Sequence, residues 1–176
     1  MYNYKATYRT KTYIAGDWTG DKDAIDQLYK WNESNRWSLH FTDAHDITQA
    51  RDSSLNCSIK RSLKTRMDAS KTFVLIVGES TKGLRSGSCA YCDSYDSDQC
   101  KCLRGYSVDF RSYINYECDM AVDADIKIVV LYNSTEIDRS KCPDSVKNKG
   151  THVAMCYKRD GTAYWDYYAV KNAIMG

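Results

Sequence analysis

No stretch of this sequence approaches the ~18 to 20 apolar residues that a membrane span needs. Residues 1–12 alternate polar and aromatic side chains and lack the basic-then-apolar order of a secretory leader, so a cytoplasmic location is expected. The formal charge of +2, from 25 basic and 23 acidic side chains with no dense Lys/Arg cluster, argues against a nucleic-acid partner. The turn Gly16-Asp17-Trp18-Thr19-Gly20 lacks the G-x-G-x-x-G spacing of a dinucleotide fingerprint, and no Gly-Lys-Ser/Thr follows to make a P-loop. With three histidines, no Ser-His-Asp or Cys-His arrangement is visible along the chain, although such constellations need not be local. Internal repeats and low-complexity linkers are also missing, so residues 1–176 read as one domain.

What is present is ordinary for a folded protein: 43% apolar and 27% charged residues, in a chain long enough to bury a core. The aromatic content is carried by 15 Tyr and four Trp, whose amphipathic rings suit partly exposed pockets as well as cores. Eight Cys require an explanation, because disulfides are a poor default in a reducing compartment.

Periodicity gives an alternating pattern. Residues 10–15 read as a strand, followed by the 16–20 turn and a helix from Asp21 with Ala24, Ile25, Leu28 and Tyr29 on one face. Residues 37–41 read as a second strand. Leu55, Ile59, Leu63 and Met67 recur every four residues, which predicts a helix over 54–69 with Asp52, Ser53 or Ser54 as its cap. The continuous apolar runs 72–77 and 126–131 have the character of strands buried on both faces. A helix is expected over 107–123, a weaker strand over 152–157, and a Tyr-rich segment at 164–174. Strands alternating with helices of this length imply a parallel sheet covered on both faces, in an α/β fold. Such sheets bind ligands beyond the carboxyl ends of their strands, here at 16–20, 42–54, 78–82 and 133–136.

Two of those places hold candidate chemistry. The 16–20 turn presents a carboxylate, an indole and backbone amides, although it would also serve as a plain polar turn before the helix. Glu117 lies one helical turn after Tyr113 and three residues from the core-facing Ile114, at the border of the apolar stripe. A carboxylate half-shielded there could hold ribose hydroxyls or stabilise an oxocarbenium ion, whereas most helical Glu side chains are simply solvated. His40 and His152 fall in predicted strands and read as structural. His45, between Asp43 and Asp46, could meet a ligand, but plain exposure is the commoner outcome.

Three stretches together resemble the TIR-like domains of bacterial antiphage systems, in particular the TIR-like signalling subunit of Thoeris. The first is the polar turn 15–23. The second is Phe41-Thr-Asp-Ala-His-Asp46, leading through a polar loop to the 54–69 helix and to Phe73-Val-Leu-Ile-Val-Gly78-Glu-Ser80. The third is Arg111-Ser-Tyr-Ile-Asn-Tyr-Glu117. The resemblance implies a flavodoxin-like three-layer αβα sandwich and cleavage of the nicotinamide–ribose bond of NAD, often with release of a cyclised ADP-ribose signal. It makes Glu117 the catalytic carboxylate. Trp18 and Tyr113 become stacking surfaces, and Asp17, Asp46 and Ser80 further substrate contacts. The partners implied are NAD, a second TIR-like domain through self-association, and a downstream effector that senses the nucleotide product. A non-catalytic TIR-like module that binds a protein or a nucleotide is the alternative. A receiver-like domain fits poorly, because its acidic pair should follow the first strand and only Asp17 is so placed.

This chain departs from the pattern by an insertion at about 81–106. There Cys89-x-x-Cys92 and Cys100-x-Cys102 lie in a Ser/Asp/Gly-rich loop, a spacing that suits one closed, structural zinc site. Two local disulfides or free thiols are the other possibilities, and the C-x-C half is tighter than usual zinc spacing.

Overall fold

The computed structural model describes residues 8–45 and 55–176. In chain order these form β1 (Lys11–Ala15), α1 (Lys22–Glu33), α2 (Asn56–Asp68), β2 (Ser70–Val77), β3 (Tyr95–Asp96) and β4 (Lys101–Cys102). Then come α3 (Tyr113–Asp123), β5 (Lys127–Tyr132), β6 (Thr151–Ala154), β7 (Cys156–Arg159), β8 (Thr162–Trp165) and α4 (Tyr167–Met175). The central sheet has the order β1-β2-β5-β6, and every pair in it is parallel.

The strands bury both faces, so successive side chains serve opposite layers. Tyr13, Phe73, Leu75, Val130 and Tyr132 meet Leu63 and Met67 of α2 and Ile114, Cys118 and Ala121 of α3. Ile14, Val74, Ile76, Val129 and Leu131 meet Ile25, Leu28 and Trp31 of α1 and Val170 and Ile174 of α4. The architecture is thus the α/β, flavodoxin-like three-layer sandwich expected. Among the described residues no helix is long and apolar enough to cross a membrane.

The expected strand at 37–41 does not form. Asn32 uses its amide to bind both the N–H and the carbonyl of Phe41 at 3.0 Å, taking the groups a strand would pair. His40 is in the left-handed region at φ 52°, which also breaks an extended run. The edge of β1 is met one step later: the Thr12 N–H donates to the Thr42 carbonyl (2.8 Å), and the Ala44 N–H to the Thr12 carbonyl (3.0 Å).

Three further boundaries move. The helix expected from 107 begins only at Tyr113, where Ser112 caps it by accepting from the Asn115 N–H (3.2 Å). The strand expected over 152–157 breaks at the buried Met155, whose N–H donates to the Tyr132 carbonyl while its carbonyl accepts from the Asp166 N–H. Beyond that break β7 and β8 form a separate antiparallel hairpin, so the Tyr-rich segment is divided between β8 and α4. The α2 caps proposed at Asp52, Ser53 and Ser54 lie outside the described residues.

The insertion contains the small β3–β4 hairpin and is fastened to α2 by Lys60. The Lys60 ammonium donates to the carbonyls of Arg111 (2.7 Å) and Asp109 (3.2 Å) and pairs with the Asp109 carboxylate (3.4 Å). The four thiols expected to share zinc are not gathered into one ligand set. Cys89 Sγ accepts from the Asp109 N–H, while the exposed Cys100 donates to the Ser97 carbonyl. Among the described residues no three His, Cys, Asp or Glu side chains are grouped as a metal ion requires, and all eight Cys are unpaired.

Candidate functional site

Above the carboxyl end of β1, a cleft of about 800 Å³ opens between the 16–20 turn, α2 and α3. Asp17, Trp18, Tyr113 and Glu117 all line it, together with His45 and Arg66. The turn after β1 supplies Asp17 and Trp18, α2 supplies Arg66 and α3 supplies Tyr113 and Glu117, because a parallel sheet gathers the segments beyond its strand ends at one edge.

Glu117 sits on the inner side of α3 and is only 8% exposed. Tyr13 points from β1 toward α3 and donates its hydroxyl to Glu117 Oε1 at 2.6 Å. Burial pushes the Glu117 carboxyl up to about 7, against the opposing effects of the Tyr13 hydrogen bond and the Arg66 charge. The same contact, with burial as the larger cause, holds the Tyr13 phenol well above its ordinary value. A carboxyl poised near neutrality in a cleft can change charge when a cationic ligand arrives.

Trp18 is 47% exposed; its ring centroid lies 5.0 Å from that of His45 in an edge arrangement and 6.2 Å from that of Tyr29 in a tilted one. Tyr113, on the α3 side, donates its hydroxyl to Asn56 Oδ1 (2.8 Å), and burial pushes its phenol up to about 12. Asp17 folds over its own turn, accepting from the Thr19 N–H at 3.0 Å. A side chain at Gly20 would place its Cβ 2.4 Å from Asp17 Oδ2, so the carboxylate would have to shift from its place over the turn.

One expected contact falls elsewhere. Ser80 is not in this cleft: it borders a smaller depression of about 140 Å³ with Asp21 and Asn133, because the chain turns away behind β2. Asp21 there accepts from Asn133 Nδ2 (3.0 Å), and burial raises its carboxyl above the ordinary range. Asp46 lies outside the described residues.

Two of the residues at this site, Tyr13 and Arg66, are not singled out by the sequence. Tyr13 has its partner far along the chain and reads locally as an ordinary strand residue. Arg66 is only 8% exposed on α2, where periodicity sets it beside Met67 and gives no hint of a cleft. His45 has one signal in the sequence, Asp43 two residues earlier, which binds its ring through Oδ1 at 2.9 Å.

No curated protein matches this chain. Residues 12–86 match the family model described as Thoeris protein ThsB, TIR-like domain. The matched segment runs from β1 through β2 and includes Trp18, His45 and Arg66, but stops before α3 and Glu117. Over residues 12–86 the chain is therefore similar to the TIR-like domain of this Thoeris protein.

Proposed function

We propose that this chain consumes NAD in antiphage defence, cleaving the nicotinamide–ribose bond in the cleft and releasing an ADP-ribose-type signal, cyclised or open. The observation that carries the reading is the buried Glu117 carboxyl, held by Tyr13 on the wall of a cleft of about 800 Å³. That volume is within the range of small-molecule sites.

Nicotinamide leaves NAD as a neutral molecule from a cationic ring, so no strong acid is needed. What lowers the barrier is a fixed negative charge near the ribose as it becomes an oxocarbenium ion. Glu117 supplies that charge. Its value near 7 leaves roughly half the free protein ionised at neutral pH, and the cationic substrate favours the ionised form further. Trp18 and Tyr113 offer ring faces to bases, and Arg66 offers a positive charge suited to the diphosphate. A cytoplasmic location, self-association through the TIR-like domain and an effector that senses the product complete this reading.

A second reading is a nucleotide-binding module without turnover. It is favoured by one fact: the family match ends before the helix bearing Glu117. Incubating the chain with NAD while following both bound NAD and free nicotinamide separates the two. Saturable binding with nicotinamide release supports the enzyme, whereas binding without release supports the module.

A further inference from the structure

His45 has the arrangement of a base rather than of a structural imidazole. Its Nδ1 lies 2.9 Å from Asp43 Oδ1, and its backbone N–H also donates to that oxygen at 3.0 Å. The other Asp43 oxygen accepts the Tyr29 hydroxyl at 2.6 Å. Although burial opposes ionisation, these hydrogen bonds hold Asp43 below the usual carboxylate range. An ionised carboxylate can only accept, so the ring proton of neutral His45 belongs on Nδ1 and the lone pair on Nε2.

That lone pair belongs to a ring lining the cleft. The ring centroid is 5.9 Å from that of Tyr13, the residue bonded to Glu117, and 5.0 Å from that of Trp18. Among the described residues Nε2 has no hydrogen-bond partner, since the hydrogen bonds of the ring and of the backbone N–H both go to Asp43. A carboxylate that orients one imidazole nitrogen while the other faces a ligand site is the general-base arrangement.

We propose that His45, oriented by Asp43, is the general base for an O–H nucleophile that attacks the ribose carbon once nicotinamide departs. The inference rests on the NAD-cleavage reading. The bond between ribose C1′ and the pyridinium nitrogen breaks, and its electron pair leaves with neutral nicotinamide. The nucleophile's oxygen gives a pair to C1′, and its proton passes to His45 Nε2. The imidazolium so formed is stabilised by Asp43 and returns the proton to solvent. His45 is then a catalytic residue, and Asp43 a positioning residue that fixes the tautomer.

The test uses nucleophiles that differ in having a proton to lose. Labelled nicotinamide attacks through a ring nitrogen carrying no hydrogen, so its exchange into NAD needs no base. Water and added methanol do need one. The full chain, His45→Gln and Asp43→Asn are compared for the ratio of hydrolysis plus methanolysis to nicotinamide exchange. The ratio should fall about tenfold or more in His45→Gln, and by a smaller factor in Asp43→Asn. Nitrogen NMR of the imidazole should show the Nδ1–H tautomer in the parent and its loss in Asp43→Asn. If His45→Gln does not fold, the Asp43→Asn ratio and tautomer decide. Ratios equal to the parent's in the folded variants would overturn the His45 role and leave cleavage standing. A parent that neither exchanges nor hydrolyses NAD would overturn both.

Discussion

The Tyr13 hydroxyl donates to Glu117 Oε1 at 2.6 Å, joining β1 to α3 between residues 104 positions apart. This hydrogen bond favours the charged form of a carboxyl otherwise pushed up by burial. It follows that Tyr13→Phe should raise the Glu117 value above its present position near 7. The rate of NAD cleavage at low substrate should rise with pH through about 7 in the parent, since the ionised carboxylate is the active form. In Tyr13→Phe the same rise should occur at higher pH, with a loss of about three- to tenfold at pH 7. Parallel pH–rate profiles with the same midpoint would separate Tyr13 from Glu117.

Stability should report the same carboxyl. The folded state raises Glu117 from 4.5 to about 7, so the fold favours its neutral form. The resulting stabilisation is complete below the unfolded value and is lost as pH rises through the folded one. Glu117→Gln is neutral at every pH and escapes this loss. Relative to the parent, the variant should gain on the order of 3 kcal/mol between pH 4 and pH 9, as an upper bound. Urea denaturation of both proteins across that range measures it, and a constant difference would contradict the burial argument.

Trp18 is half exposed and, among the described residues, meets only the rings of His45 and Tyr29, so Trp18→Ala should leave the melting temperature nearly unchanged. Losing an aromatic surface in the cleft should instead raise KM for NAD about tenfold, with little change in kcat. Steady-state kinetics on the purified variant check this. A fall in kcat with KM unchanged would assign Trp18 a different part in the chemistry.

Lys60→Met should loosen the insertion without unfolding the sheet. Its ammonium satisfies the carbonyls of Asp109 and Arg111, and methionine cannot replace those bonds. Residues 84–112 should exchange amide hydrogens faster and be cut sooner by protease, while β2 and β5 keep the parent's protection. Equal acceleration throughout the sheet would mean that the insertion is part of one cooperative unit with the core.

Buried strands were legible because a run such as 72–77 has no polar residue to spare for solvent, and its periodicity admits one placement. The short strand at 37–41 was misread because β-prone residues there are held by a side chain, Asn32, that no local pattern reveals. The border position of Glu117 could be read from its spacing to Ile114 and Tyr113, whereas its depth depends on Tyr13 in a distant strand. Ser80 was assigned to the cleft because it follows a strand end, yet the direction of the turn after Gly78 decides which side it serves. A Cβ at Gly78 would lie 1.9 Å from Asp21 Oδ1, so that turn is pressed against Asp21. Cys spacing alone suggests a metal site, but spacing does not specify how thiols are placed; among the described residues no such group forms, and Cys89 Sγ accepts from the Asp109 N–H instead.

The central claim is that the Glu117 charge drives cleavage of the nicotinamide–ribose bond. The most direct measurement is nicotinamide released from saturating NAD by the parent and by Glu117→Gln, with folding of both verified by near-ultraviolet circular dichroism. Glutamine keeps the shape and accepts the Tyr13 hydrogen bond, but it carries no charge to offset an oxocarbenium ion. The account predicts release by the parent and a loss of about a hundredfold or more in the variant. Release at the parent's rate from folded Glu117→Gln would contradict it.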